Sequence, residues 1–213
     1  FVYTPTIHPL PFINRQLVVC HDSYPFLGVK GIIKKTILKL SLYTSRCAVG
    51  YINMTDSKFF VDSLRISDSR KIFLPNLINA NDQLAMWTQK KKGIIDVALV
   101  GTDSNKKRYH VLFDLLLVAN PEKFGSLIFH LYGGDNAYRK SLFDKYSSDI
   151  KLQWVNPSEM GMDEFISNSD VLISIAKNEG FGRPIAFALQ RGLPVLLIDD
   201  PVFREFFSDS AYI

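Results

Sequence analysis

Residues 94–100, IIDVALV, form a nearly unbroken apolar run that stops at Gly101-Thr102. A strand with one wet face alternates apolar and polar residues. A run this continuous reads instead as a strand covered on both faces, as in a parallel sheet between two layers of helices. The pattern recurs at 16–20 (QLVVC), 48–52, 71–74 (KIFL), 127–132 (LIFHLY), 151–155 (KLQWV), 171–175 (VLISI) and 195–198 (VLLI). Helical patterns fall between the runs, at 30–43, 109–119, 137–146 and 162–168, and in a stretch led by Pro184 and ended by Gly192-Leu193-Pro194. Buried strands alternating with helices predict an α/β protein built on parallel sheets. The polar stretch 81–93, closing on Gln89-Lys90-Lys91-Lys92-Gly93, reads as a linker between a first domain, 1–92, and a second, 93–213.

Ligands of parallel sheets bind beyond the carboxyl ends of the strands. That directs attention to His21-Asp22, Pro75-Asn76, the loop 101–108, Gly133-Gly134-Asp135, the loop 177–182 and Asp199-Asp200. The balance of the chain, 47% hydrophobic and 22% charged in 213 residues, is that of a globular protein. No run approaches the ~18 apolar residues of a membrane span, and no secretory leader is evident. Cys20 and Cys47 lie in apolar segments and are too few for a disulfide framework, which points to a reduced, cytoplasmic setting. The sequon Asn53-Met54-Thr55 is a three-residue pattern that arises readily by chance. A net charge of +4 is mild and fits an anionic small ligand or a membrane surface. In 30–43, Ile33, Thr36, Ile37 and Leu40 fall on one side and Lys34, Lys35 and Lys39 largely away from it. The expectation is a helix packed by its apolar side on the first sheet, with a basic membrane contact as the other reading. Thr55 or Asp56 suits the N-cap of the helix after 48–52.

The stretch 178–195, NEGFGRPIAFALQRGLPV, carries the most chemistry. Pro184 fits a first helical turn, where its missing N–H costs nothing. The N–H groups of that turn and of Gly180, Phe181 and Gly182, with the positive end of the helix dipole, make a phosphate site. Glu179 would repel a phosphate, so it suits hydroxyl groups beside one. A sugar diphosphate offers both. A plain packing turn with a solvated acid is an equally good account of the spacing alone.

These segments resemble the retaining glycosyltransferases of family four, which have the GT-B fold: two Rossmann-like domains facing a cleft. EGFGRP, AFALQRGLPV and DDPVFREFFSDSA follow the order and spacing of EGFG-L-P, E-A-M-A-x-G-x-P-V and D-x-P-V-x-R-E-x-x-G-D-A-A. VGTDSNKKRYHVLFDLL and LIFHLYGGDNAY resemble the upstream part of the same domain, and VVCHDSYPF and KIFLPNLIN resemble the acceptor-side domain. The resemblance covers nearly the whole chain. It also suggests an excerpt without the start of the N-terminal domain and without the closing C-terminal helices.

The resemblance implies a nucleotide-diphosphate sugar as donor and a glycan or lipid-linked acceptor, with no nucleic acid, cofactor or metal, and a hexose transferred with retention of configuration. Lys107 takes the place of the family's phosphate-binding lysine and Lys106 that of the preceding arginine. Gly101 and Thr102 form the turn before them. Glu179 matches the acid that contacts the donor sugar, and Gly180, Phe181 and Gly182 the turn against sugar and phosphate. His21 matches a histidine near the transferred sugar. Three positions depart from the pattern. Phe187 stands where the family has a glutamate for the ribose, and loss of such a contact costs about 1–3 kcal/mol. Leu77 replaces a glycine, and Arg108 stands where the family has Asn or Gly. Phe187 keeps a second reading open: a degenerate relative acting as a non-catalytic partner or glycan-binding subunit. An epimerase or phosphorylase on the same fold accounts less well for the two motifs.

Overall fold

The computed structural model describes residues 2–10, 13, 15–76, 78, 93–119 and 124–213. The chain divides into two compact units. The first comprises Phe1–Leu77 with Asn178–Gly182 and Pro201–Phe206. The second comprises Ile78–Lys177, Arg183–Asp200 and Phe207–Ile213. The expected linker, apart from Gly93, and Leu77 lie outside the described residues.

The first unit holds four parallel strands in the order β1 (Val2–Thr4), β2 (Gln16–Cys20), β3 (Ala48–Tyr51), β4 (Lys71–Phe73). β1 is too short to carry a pattern, and sequence reading passed over it. Helices α1 (Gly28–Thr44) and α2 (Ser57–Ser63) connect the strands, and Val18, Cys20, Val49, Leu38, Leu42, Phe60 and Val61 form the core. Parallel strands require such crossovers, and burial on both faces explains the apolar runs.

The orientation of α1 corrects the expectation. The helix buries Gly31, Leu38 and Leu42. Gly31 lies so close to the Phe26 backbone that a side chain would collide with it. Ile33, Ile37 and Leu40, expected to face the sheet, are 59–64% exposed. At 100° per residue they share the outer face with Val29, Ile32 and Tyr43. Lys30 and Lys34 flank this apolar stripe on one side, Lys35 and Lys39 on the other.

The start of α2 is also held differently from expectation. Asp56 stands at the N-cap position, one of the two residues expected there, but its side chain makes no capping bond. The Asn53 carboxamide oxygen accepts the N–H groups of Asp56 and Ser57, both at 2.8 Å. The Asp56 carboxylate turns away to accept the Ser23 N–H at 2.8 Å and its hydroxyl at 2.5 Å. Asn53 is fully buried, so its amide is out of reach of a glycan, against the sequon.

The second unit holds five parallel strands in the order β7 (Leu152–Val155), β6 (Leu127–Tyr132), β5 (Ile95–Val100), β8 (Val171–Ser174), β9 (Val195–Leu197). Helices α3 (Tyr109–Val118), α4 (Ala137–Tyr146), α5 (Met162–Ser167) and α6 (Arg183–Gln190) follow their strands; α7 (Pro201–Phe207), which follows β9 in the chain, belongs to the first unit but for Phe207. The expected elements of this half lie within one residue of those observed. From β5 the chain builds outward to β6 and β7, then returns to add β8 and β9 on the other side. The reversal makes a crevice beyond the carboxyl ends of β5 and β8, the position where doubly wound sheets bind ligands.

Candidate functional site

The loops after β5 and β8 meet at this reversal. Gly101 follows β5 with φ +97°, a left-handed conformation suited to glycine. A Cβ there would come 2.6 Å from the Lys107 Cε, so the absence of a side chain lets Lys107 lie across the turn. Ser104 caps the single turn Asn105–Lys107 by accepting the Lys106 N–H. The Lys177 N–H, just beyond β8, donates to the Lys106 carbonyl at 3.1 Å. Lys106, Lys107 and Arg108 are thus placed together on one short turn, each half-buried. Half-burial strengthens their field on an anion relative to fully hydrated lysines.

Arg108 accounts for one departure from the family pattern. Its φ of +58° and ψ of 24° are left-handed, the region where Asn and Gly cost least. Its Nη1 is buried with no hydrogen-bond partner among the described residues. Thr102 is buried, and its hydroxyl donates to the Gly134 carbonyl at 2.7 Å while accepting from the Asn136 amide at 3.1 Å. These bonds engage Thr102 in joining the loops after β5 and β6. The Gly133 Cα faces Thr102 so closely that no Cβ fits. Arg139 of α4 lies over the Trp154 ring, 4.4 Å from its centre, and the Trp154 indole N–H donates to the Gly133 carbonyl at 2.7 Å.

α6 opens with Arg183 and Pro184 and has no acid in its first turn, so its positive end is uncompensated from within the helix. Phe187 is half-buried on this helix. The guanidinium of Arg191, one turn on, lies 3.4 Å from its ring centre and pairs with Asp163 at the start of α5. Burial lowers the Arg191 pKa from its ordinary value. A glutamate at 187 would meet Arg191 as an ion pair; the phenylalanine meets it as a cation–π contact. The ring therefore packs under the Arg191 guanidinium and carries no hydrogen-bond acceptor.

In the first unit, the turn 178–182 is fixed by its neighbours. Asn178 has φ +57° and Gly182 φ +97°. The Gly180 Cα packs against the His21 carbonyl at the end of β2, so closely that any side chain would collide. The Gly180 carbonyl accepts the Asn53 amide at 2.6 Å. The Phe181 ring is buried edge-on to Phe206, 4.7 Å between centres, so its side chain serves packing and its backbone faces the turn. Glu179 is half-buried. The His21 Nε2 lies 2.9 Å from the Pro5 carbonyl, which only accepts, so Nε2 carries the proton. Glu205 of α7 accepts the backbone N–H groups of Met54 and Thr55 and the Thr55 hydroxyl, at 2.8–3.1 Å.

His21, Glu179, Gly180 and Phe181 are therefore joined within the first unit, and Gly101, Lys106 and Lys107 within the second, where Phe187 lies on α6. Asn53 and Glu205 escaped sequence reasoning. Asn53 was visible only as a sequon, and Glu205 only as the acid of R-E in the last motif. An apolar concavity lined by Leu116, Leu117, Leu127 and Ile150 lies at the opposite, amino-terminal end of β6 and β7 and carries none of this chemistry. Among the described residues no helix is long and apolar enough to cross a membrane.

The family model of glycosyl transferases group 1 matches residues 86–211, more than half of the chain. The serotype-specific mannosyltransferase WbdA of Escherichia coli is 40% identical over 63 residues, 29% of this chain and 8% of that protein. The O-antigen chain mannosyltransferase RfbU of Salmonella typhimurium is 23% identical over 97% of this chain and 58% of that protein. The chain thus spans less than two thirds of the relatives it matches. The structure of HepE from Anabaena, in complex with UDP and glucose, superposes with a TM-score of 0.71 at 14% identity, covering 93% of this chain and 57% of that one. The two parallel-sheet units are those of the GT-B fold, and the chain belongs to the glycosyl transferases group 1 family.

Proposed function

We propose that the chain is part of an enzyme that transfers a hexose from a nucleotide-diphosphate sugar to a glycan or lipid-linked acceptor, with retention of configuration. The observation that carries this reading is the basic turn Asn105–Lys107, tied by its Lys106 carbonyl to Lys177 at the strand reversal. Two residues along the chain from that contact stands Glu179. Mannose is the sugar proposed, because the relatives matched by sequence are named mannosyltransferases of O-antigen synthesis. On this reading Lys106 and Lys107 hold the leaving diphosphate together with the amides of the 180–182 turn and the positive end of α6. Stabilising charge as it develops on the leaving group is the main contribution such a site makes. Glu179 accepts hydrogen bonds from sugar hydroxyls. The acceptor hydroxyl attacks the face from which the diphosphate departs, and the departing phosphate oxygen takes its proton. Cations and amides carry the charge without a metal. Phe187 leaves the ribose to be held by other groups.

The outer face of α1 adds a peripheral membrane contact to the proposal. Six large apolar side chains, 59–88% exposed, lie between two pairs of lysines. That is the arrangement of a helix lying in an anionic lipid surface, and a lipid-linked acceptor would be met there. The reading places the enzyme on the cytoplasmic side, where nucleotide sugars are supplied.

Calorimetric titration of UDP, GDP and dTDP into the protein tests the donor site. One diphosphate binds, and Lys107→Ala weakens it at least tenfold while Glu179→Ala weakens the nucleotide little and the nucleotide sugar more. Binding of none of the three overturns the transferase reading and favours the non-catalytic partner that Phe187 raises.

A further inference from the structure

We infer that Asn53 is a positioning residue for the donor phosphate, acting through the Gly180–Phe181 peptide; this rests on the donor site proposed above. Asn53 is fully buried and uses both ends of its carboxamide. Its oxygen faces two backbone N–H groups, Asp56 and Ser57, at 2.8 Å. Its nitrogen faces the Gly180 carbonyl at 2.6 Å. Donors on one side and an acceptor on the other permit only this orientation of the amide.

A helix cap needs only the oxygen, which serine or aspartate would supply equally well. The nitrogen is what an asparagine adds, and it is spent on a residue 127 positions away. The peptide it holds is planar and trans, so the Gly180 carbonyl and the Phe181 N–H point in opposite directions. Pulling the carbonyl toward β3 turns the Phe181 N–H away from it. The His21 carbonyl, pressed against the Gly180 Cα, leaves room for no side chain there, so the turn stays glycine where Asn53 holds it. The Asn53 amide just beyond β3 therefore sets the direction of one N–H in the turn assigned to the phosphate. An amide aimed in advance stabilises a phosphate without reorganisation when it arrives.

The test compares the preference for nucleoside diphosphate over monophosphate in the 213-residue chain and two variants. The pair used is the diphosphate that binds best among UDP, GDP and dTDP, with its monophosphate. Asn53→Asp keeps the shape and the capping oxygen but sets an oxygen against the Gly180 carbonyl. Asn53→Ser keeps a capping oxygen, adds no charge to the buried site and is too short to reach that carbonyl. Both variants are expected to lose the diphosphate preference at least fivefold while monophosphate affinity changes less than twofold. A purely structural asparagine would lower the melting temperature and leave the ratio unchanged. A folded variant of either kind that retains the wild-type ratio overturns the inference and leaves the donor site standing. A wild-type protein that binds neither nucleotide overturns the donor site and the inference with it.

Discussion

At Arg108 the chain accepts a left-handed backbone, φ +58°, with a side chain whose Nη1 lacks a hydrogen-bond partner among the described residues. Both features oppose stability, and strain of this kind persists where the surroundings or a ligand compensate it. Arg108→Asn is expected to raise the melting temperature by about 2–4 °C, the equivalent of about 1 kcal/mol in a chain of this size. It should also weaken diphosphate binding severalfold in the titration that tests the donor site. The two thiols make a second prediction. Cys20 and Cys47 are free and fully buried. Burial, followed by the nearby Asp56 and Asp22, pushes the Cys20 thiol above its ordinary range. The unfolded thiol ionises near about pH 8.5 while the folded one keeps its proton, so the stabilisation is complete below that pH and declines above it, by up to about 1.4 kcal/mol per pH unit. Melting curves of wild type and Cys20→Ala between pH 7 and 10 should diverge in that sense, and neither cysteine should react with a thiol reagent until the protein unfolds. Lys107 and Glu179 could be singled out in the sequence because a motif needs only a residue type at a spacing. Asn53 could not be, because its role depends on a carbonyl that folding brings from far along the chain.

The strands other than β1 were readable element by element, since burial on both faces leaves little choice but Val, Ile, Leu and Phe. Helix α1 was readable as a helix and misread as to its face. Its largest apolar side chains form one stripe, and the ordinary inference turns such a stripe toward the sheet. The sheet instead takes the sparser face of Gly31, Leu38 and Leu42, because Gly31 permits a close approach to the Phe26 backbone. No count of apolar residues reveals that preference. The exposed stripe predicts partition onto vesicles rich in phosphatidylglycerol and little onto phosphatidylcholine, falling with added salt as its lysines are screened. Replacing Ile33, Ile37 and Leu40 by serine should reduce co-sedimentation at least tenfold without lowering the melting temperature, because these side chains are exposed. A loss of stability in that triple variant would mean that the face is already covered.

Across the whole molecule, the two units do not follow the chain in simple succession. Residues 178–182 and 201–206 belong with the first unit although the segment between them belongs with the second. The α2 approach depends on this return, since Glu205 accepts three hydrogen bonds from Met54 and Thr55. Bonds to a charged acceptor are worth about 1.5–3 kcal/mol, and unmaking them leaves backbone donors unanswered. Glu205→Ala should therefore lower the melting temperature by about 3–10 °C, with Glu205→Gln losing less because an acceptor remains. Sequence reading supplied two α/β halves and their motifs, but a contact between residues 150 positions apart leaves no local trace.

That return of the chain also sets a schedule for synthesis. When Leu77 leaves the ribosome the strands β1 to β4 have been made, yet Gly180 and Glu205 have still to be made. At about 5–20 residues per second the wait lasts roughly 6–26 s. Until then the residues beyond β2 and β3 lack the partners that Gly180 and Glu205 bring, and the stripe of α1 stands exposed, which makes this interval the time at which a chaperone or a lipid surface has most to protect.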